Sequence, residues 1–213
     1  MRVYLVRHGQ TAWNAEQKAQ GHTDVPLDEE GARQAEALVE VFADRPFSRI
    51  LSSDLQRAKA TAAPLARKFG IAIAENEDLR ERAFGDLEGH PFEMIAKYFI
   101  EQELTTGQPR EEIRPPGGES QADVWDRLDG VVKNIEGYHE PQVVISHGGS
   151  CSLLLSRLLR GTIFTARAFR FDNTGITTIA RRPDGGFHLI RYNESAHLRQ
   201  PALISGSVDG PVR

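Results

Sequence analysis

The sequence predicts an α/β fold of three layers, in which helices cover both faces of a mostly parallel sheet and an antiparallel hairpin forms one edge. Two observations carry this prediction. Short apolar runs alternate with longer segments of helical spacing along most of the 213 residues, which is typical of parallel strands joined by helices. Near the end, two apolar runs flank the turn sequence Pro183-Asp184-Gly185-Gly186, which predicts a hairpin.

The first half of the chain predicts three strands and two helices. Asp28 is a suitable N-cap for the first helix, residues 28–43, whose apolar side chains recur with helical spacing. The second helix begins at Ser53 or Asp54 and ends at Gly70, a residue that favours helix termination. The strands are expected at residues 2–6, 47–52 and 71–74.

The second half differs, because a helix and a long loop precede the next strand. Pro91 opens the helix, residues 105–119 are rich in Thr, Pro, Gly and charge, and Ser120 begins another helix. A buried strand at residues 143–145 leads to a leucine-rich helix at about 150–159. Three further strands are expected at residues 169–171, 175–180 and 187–192.

Length and composition limit the classes of protein that remain. The length suits one domain, which we place at residues 1–198, with a C-terminal tail at 199–213 that shows no periodicity. A net charge of −4 disfavours nucleic acid and anionic membrane surfaces as partners. Cys151 is the only cysteine, so no intramolecular disulfide or cysteine-rich metal site is expected. The first residues become polar too early for a signal peptide, and we expect a cytoplasmic location.

Charged side chains follow the buried strands where each strand ends. Arg7 and His8 follow the first strand, Arg57 lies in the first turn of the helix after the second, and His147 follows the strand at 143–145. Ligands of open α/β sheets bind at the carboxyl ends of the strands, so we expect these side chains to meet in one crevice. A single His-Gly pair would be explained by the end of a strand alone. Two such pairs together with Arg57 indicate a site for a phosphate group.

These residues belong to a longer series of motifs that resembles the histidine phosphatase superfamily, which includes cofactor-dependent phosphoglycerate mutases. The resemblance spans about residues 3–198, with its motifs in the family's order. The matching motifs include Leu5-Val6-Arg7-His8-Gly9-Gln10-Thr11, Gln20-Gly21, Ser53-Asp54-Leu55-Gln56-Arg57, Leu79-Arg80-Glu81, Pro116-Gly117-Gly118-Glu119-Ser120 and Ser146-His147-Gly148-Gly149.

The resemblance implies a role for each residue of the site. His8 is the nucleophile that becomes phosphorylated, Glu81 is the general acid and later the base, and Arg7, Arg57 and a charged His147 bind the phosphoryl oxygens. Further contacts with the substrate are implied for Asn14, Gln20, Gly21 and the backbone at Gly148. No metal and no cofactor is implied, because these side chains already supply the positive charge.

Several alternatives stay open at this point. The chain is shorter than the mutases of the family and carries Arg80-Glu81-Arg82 where they have Asn-Glu-Arg, which favours a phosphatase over a mutase. A binding protein without activity is disfavoured because His8 and Glu81 are both present. Cys151 and Arg157 have the C-x5-R spacing of cysteine-dependent phosphatases, but the leucines between them indicate a helix interior.

The expected substrate is a small phosphorylated metabolite, and the sequence does not choose among a sugar phosphate, a phosphoglycerate derivative, phosphoserine and a cobalamin precursor. Residues 82–120 are expected to arch over the site as an inserted, lid-like segment. Within it, Arg110 and Arg114 could meet a second anionic group, although a solvated loop is the favoured explanation for each. A homodimer formed through the hairpin edge or the tail is one candidate assembly.

Overall fold

The central feature is a mixed sheet, described together with the rest of residues 1–198 in a computed structural model. Its strands stand in the order β3-β2-β4-β1-β5-β6. The pairs β3-β2, β2-β4 and β4-β1 are parallel, whereas β1-β5 and β5-β6 are antiparallel. The strands are β1 (Arg2–Arg7), β2 (Arg49–Ser52), β3 (Ile73–Glu75), β4 (Gln142–Ser146), β5 (Ile176–Arg181) and β6 (Phe187–Glu194). The predicted parallel sheet with an antiparallel hairpin at its edge is confirmed.

The helices begin and end close to the residues that the sequence indicates. Asp28 caps the second helix by accepting from the backbone N–H of Gly31, Ser120 caps the fifth, and Gly70 ends the third in a left-handed conformation. The helices are α1 (Ala12–Ala15), α2 (Glu29–Phe42), α3 (Gln56–Phe69), α4 (Phe92–Thr106), α5 (Gln121–Gly137) and α6 (Gly148–Leu158).

The two faces of the sheet bury separate clusters of apolar side chains. Along β1, Val3 and Leu5 join the cluster with α5 and α6, whereas Tyr4 and Val6 join the cluster with α2 and α3. This alternation is what a strand covered on both faces requires, because successive side chains point to opposite sides. The predicted three layers are therefore confirmed.

Two predicted elements are shifted along the chain. The strand expected at 71–74 forms at Ile73–Glu75, because the N–H of Ile71 still donates to the carbonyl of Ala66 at the end of α3. The last helix begins at Gly148 rather than at about residue 150. The carboxylate of Glu81 accepts hydrogen bonds from N–H groups in its first turn. The helix can therefore begin at glycine residues.

The strand expected at residues 169–171 does not form. Its backbone groups bond to side chains instead of a neighbouring strand: the N–H and C=O of Arg170 bond to the Tyr192 hydroxyl, and the carbonyl of Phe171 accepts from Arg7. The apolar residues here line the candidate site instead of extending the sheet.

The segment 82–120 carries α4 and a small apolar cluster of its own. Ile95 and Phe99 of α4 pack with Ala19 and Ile113 in this cluster. Its function as a lid stays a prediction, as does the division of the chain into one domain and a tail, since the tail at 199–213 lies outside the described residues. Within residues 1–198, no helix has the length and apolar character needed to cross a bilayer.

Candidate active site

The parallel pairing of β1 with β4 brings the two histidines together. Arg7 lies opposite Ser146 in the ladder, so His8 and His147 follow side by side, with ring centroids 5.1 Å apart. The backbone N–H of His8 donates to the carbonyl of Ser146 at 2.9 Å and continues the pairing by one residue. The sheet thereby fixes the relative positions of both rings.

The ring of His8 is oriented by a hydrogen bond to the backbone. Its Nδ1 lies 2.7 Å from the carbonyl oxygen of Gly9, so Nδ1 carries the proton and Nε2 holds the lone pair. The side chain is buried, and burial together with the nearby guanidinium groups of Arg57 and Arg7 lowers the pKa of His8 well below its usual value. His8 is therefore a neutral imidazole with one nitrogen available.

Arg57 enters the site from the first turn of α3 and is completely buried. Its Nη1 and Nη2 donate to the backbone carbonyls of Thr23 and Gly21 at 2.9 and 2.8 Å, and its Nε donates to Nδ1 of His147 at 3.2 Å. Burial lowers the pKa of Arg57 to about 10, so the guanidinium is charged at neutral pH. These contacts fix its plane and leave two N–H groups free to bind an anion.

His147 differs from the expectation of a charged ring. Both its nitrogens have partners, since Nδ1 accepts from Arg57 and Nε2 lies 2.9 Å from the hydroxyl of Ser53. Burial and the charge of Arg57 lower the pKa of His147 well below its usual value, which favours the neutral form. In this geometry His147 orients Arg57 and does not itself line the cavity.

Arg7 lies at the end of β1 with one N–H group fixed and another free. Its Nη1 donates to the carbonyl of Phe171 at 2.7 Å, whereas its buried Nε has no hydrogen-bond partner within residues 1–198. A buried donor without a partner carries an energetic cost, which an anion in the cavity would relieve.

Glu81 reaches the site from a loop and contacts the N-terminus of α6. Its carboxylate accepts from the N–H groups of Gly149 and Ser150 at 2.8 and 3.2 Å, and from the N–H of Arg82 at 2.9 Å. The N–H groups of Gly149 and Ser150 lie in the first turn of α6, where they have no partner inside the helix. Glu81 thus caps α6, which explains why that helix begins two residues earlier than predicted.

The remaining predicted residues divide into two groups. Asn14 and Gln20 line the cavity, as does the backbone at Gly148. The Oδ1 of Asn14 accepts from the N–H and hydroxyl of Thr11, so its amide nitrogen is available to a ligand. Gly21 does not line the cavity; instead its carbonyl accepts from Arg57.

A single cavity of about 350 Å³ joins these groups. All but two of the predicted site residues line it; His147 and Gly21 lie behind Arg57. The predicted residues on its wall are Arg7, His8, Asn14, Gln20, Arg57, Glu81 and Gly148. Phe84, Phe92, Phe169 and Phe171 form an apolar part of the same wall. The arrangement combines a buried and a half-buried guanidinium, a free imidazole nitrogen and a carboxylate at one point.

Sequence reasoning missed several residues that position the site. Asn173 donates to the carbonyl of His8 at 2.9 Å and to Asn14 at 3.3 Å. Arg127 of α5 donates to the carbonyl of Glu81 at 2.9 Å, and His22 contacts the same carbonyl. None of these residues lies in a local pattern that marks it, because each acts through a contact distant in sequence.

The carboxylate of Glu88 joins two loops that border the site. It accepts from the N–H groups of His22 and Thr23 at 2.9 Å and from the N–H of Phe84 at 3.0 Å. Gly21, with a φ of 52°, packs directly against this carboxylate, where a Cβ would lie 2.0 Å from its oxygen. The loop that receives Arg57 is therefore fixed to the segment 82–120.

The alternative nucleophile, Cys151, lies inside α6 and is fully buried. Burial raises its pKa, which disfavours the thiolate that cysteine-dependent phosphatases require. Arg157 points away, since it donates to the carbonyl of Trp125 and to the carboxylate of Asp129. The reading of this spacing as helix interior is confirmed.

Comparison with known proteins agrees with this geometry. The model of the histidine phosphatase superfamily (branch 1) matches residues 3–195, so this chain belongs to that superfamily. The chain is 37% identical to phosphoglycerate mutase-like protein 4 of Arabidopsis thaliana, over 98% of this chain and 91% of that protein. The resemblance stated from the motifs is therefore confirmed.

Solved structures of two phosphatases share the fold. A mycobacterial glucosyl-3-phosphoglycerate phosphatase has a TM-score of 0.79 and 30% identity, and covers 91% of this chain and 99% of its own. The alpha-ribazole phosphatase of Shigella flexneri has a TM-score of 0.80 and 26% identity, and covers 91% of this chain and 96% of its own. Together with the family match, these neighbours identify the chain as a phosphatase enzyme.

Proposed function

We propose that this enzyme hydrolyses small phosphomonoesters through a phosphohistidine intermediate on His8, with Glu81 as general acid and then general base. One observation carries the proposal: the Nε2 lone pair of His8 is left free in a cavity where Arg7 and Arg57 present buried N–H groups. A neutral nucleophile suits this substrate, because a phosphomonoester dianion repels an anionic one.

The first step forms a bond from Nε2 of His8 to phosphorus and breaks the bond from phosphorus to the ester oxygen. Arg7 and Arg57 neutralise the charge on the other phosphoryl oxygens, a contribution that is large for donors held in place before the reaction. The leaving alkoxide is a strong base and takes a proton from the carboxyl group of Glu81 as the bond breaks.

The second step reverses these roles. The Glu81 carboxylate removes a proton from water, the resulting oxygen attacks phosphorus, and the bond to Nε2 breaks to release inorganic phosphate and neutral His8. No group outside the chain is required, since the arginines supply the positive charge. A solved structure of the mycobacterial relative with inorganic phosphate supports a phosphate site in this fold.

His8→Asn tests the nucleophile, with Cys151→Ser as the matched control. We expect His8→Asn to lose activity toward p-nitrophenyl phosphate by roughly 10⁴-fold or more, since the covalent route is removed. Cys151→Ser should keep turnover, and mass spectrometry after rapid quenching should find a phosphoryl group on the peptide that contains His8. Loss of turnover in Cys151→Ser, with turnover retained in His8→Asn, would overturn the mechanism.

A phosphoglycerate mutase is the second candidate function, because a relative is named phosphoglycerate mutase-like. The test supplies 3-phosphoglycerate with a bisphosphoglycerate primer. Phosphate release that exceeds formation of the 2-isomer supports hydrolysis, whereas faster isomerisation identifies a mutase. The absence of phosphate release from a broad panel of phosphomonoesters would instead indicate a binding protein. A cytoplasmic location and a homodimer stay predictions.

A further inference from the structure

The cavity that holds the phosphoryl site adjoins a second chamber of about 390 Å³. Five residues line both spaces, so the two are direct neighbours. The shared residues are Gln121, Gly149, Ser152, Leu153 and Arg170. A molecule bound at His8 that extends beyond its phosphoryl group can therefore enter the second chamber.

The lining of the second chamber is strongly basic. It includes Arg110, Arg167 and Arg170 and no carboxylate side chain. Arg167 forms an ion pair with Glu111 at 2.8 Å, whereas neither Arg110 nor Arg170 has a carboxylate within ion-pair distance in the described part of the chain. Arg110 and Arg170 therefore give this chamber a local positive charge, in a chain whose net charge is −4.

The described contacts of Arg170 and Arg110 do not neutralise their charge. Nη1 of Arg170 donates to the backbone carbonyls of Arg167 and Phe169, both at 3.0 Å. The backbone N–H and C=O of Arg170 are fixed in turn by the Tyr192 hydroxyl. The guanidinium of Arg110 lies 5.9 Å from the ring centroid of Phe99. The remaining N–H groups of both side chains stay available for a ligand.

The proposed general acid, Glu81, contacts a residue at the border between the cavity and the second chamber. Gly149 lines both chambers, and its N–H donates to the carboxylate of Glu81. As the general acid, Glu81 must face the ester oxygen, so the part of the substrate beyond that oxygen points toward Gly149 and the arginines. By contrast Arg114 lines neither chamber and binds Asp123.

We propose that the second chamber binds a second anionic group of the substrate, a carboxylate or a phosphate, carried by the leaving group. This inference rests on the proposed function and narrows its substrate class to phosphomonoesters that bear another anion. Arg110 and Arg167 are the specificity-determining residues that line only this chamber, whereas Arg170 borders both.

Matched substrates test the inference with the wild-type chain. The carboxylate arm compares 6-phosphogluconate with sorbitol 6-phosphate, and the phosphate arm compares glucose 1,6-bisphosphate with glucose 6-phosphate. We expect the member with the second anion to have the larger kcat/KM in at least one arm, by about tenfold, as for one charged hydrogen bond. p-Nitrophenyl phosphate, which lacks a second anion, reports on the phosphoryl site alone.

The variants Arg110→Gln and Arg167→Gln, single and combined, assign the effect to the second chamber. The ratio of kcat/KM for the doubly anionic substrate to that for p-nitrophenyl phosphate should fall about tenfold in the double variant. Arg67→Gln, which removes an exposed arginine on α3 outside both chambers, should leave this ratio unchanged.

The outcomes separate the two proposals. Hydrolysis of p-nitrophenyl phosphate with equal kcat/KM within both arms overturns the second-anion site and leaves the phosphatase mechanism intact. A preference for the second anion that the double variant retains also overturns the assignment to this chamber. Failure of the wild-type chain to hydrolyse any of these compounds overturns the proposed function and the inference with it.

Discussion

Gly149→Ala tests whether the position of the Glu81 carboxylate controls the reaction. A Cβ at residue 149 would lie 2.6 Å from Oε1 of Glu81 and 3.4 Å from Oε2, and ordinary contact begins at 3.4 Å. Because the obstructing atom is the far end of a flexible side chain, the carboxylate moves and the backbone stays. The general acid is therefore displaced by roughly 1 Å, a shift that can cost about 10²-fold in rate.

The expected loss depends on the leaving group. For an alkyl phosphate such as glycerol phosphate, kcat should fall about 10²-fold, or about 2.7 kcal/mol in the activation free energy. This lies within the contribution of about 10²- to 10⁴-fold expected of a general acid. For p-nitrophenyl phosphate the loss should be several-fold smaller, because its leaving group departs with less help from a proton.

Steady-state kinetics on both substrates, together with urea unfolding, complete the test. Gly130→Ala in α5 is the control, since the nearest atom to its new Cβ is 3.8 Å away and the helix should gain about 0.5–1 kcal/mol in stability. If Gly149→Ala folds normally and hydrolyses glycerol phosphate at the wild-type rate, the assignment of Glu81 as the proton donor is refuted.

Three further predictions concern the surroundings of the site. Because the pKa of His8 is lowered well below its usual value, the acid limb of kcat/KM should lie well below pH 6.5 once the substrate's own ionisation near pH 6 is corrected for. A pH profile with an acid limb at or above pH 6.5 would contradict this. Arg127→Lys removes the paired donors that hold the backbone of the general acid, so kcat should fall roughly tenfold with a smaller change in KM, and equal loss in both would indicate a general structural role. Gly31→Ala forces a Cβ to 2.0 Å from a backbone carbonyl of the adjoining loop and should lower the free energy of unfolding by about 1–3 kcal/mol. Gly137→Ala should raise it, because within residues 1–198 nothing beyond its chain neighbours and its own helix backbone lies within 4 Å of the new Cβ. Similar melting temperatures for the two variants would refute the close packing at Gly31.

The sequence predicts those features that depend on local pattern. Periodicity and capping residues such as Asp28 and Ser120 determine the helices, and the strand-end rule places Arg7, His8 and Arg57 in one site. Glu81 carries no such signal, because it stands in a loop among other carboxylates and was identified only through the family resemblance.

The features that escaped prediction depend on contacts distant in sequence. The neutral state of His147 follows from its enclosure between Arg57 and Ser53, which no spacing along the chain reveals. Residues 169–171 have the composition of a strand, but their backbone groups bond to Tyr192 and Arg7 instead. Tertiary hydrogen bonds here outweigh local propensity.

The hydrogen bonds accepted by Glu88 couple two loops that border the site. One carboxylate links Phe84, which borders the substrate cavity, with Thr23, whose carbonyl receives Arg57. Any displacement of the segment 82–120 at Phe84 therefore acts on the loop whose carbonyl receives Arg57. Under the proposed mechanism, we expect a leaving group that contacts Phe84 to influence the alignment of Arg57 on the phosphorus, because Glu88 connects the two loops.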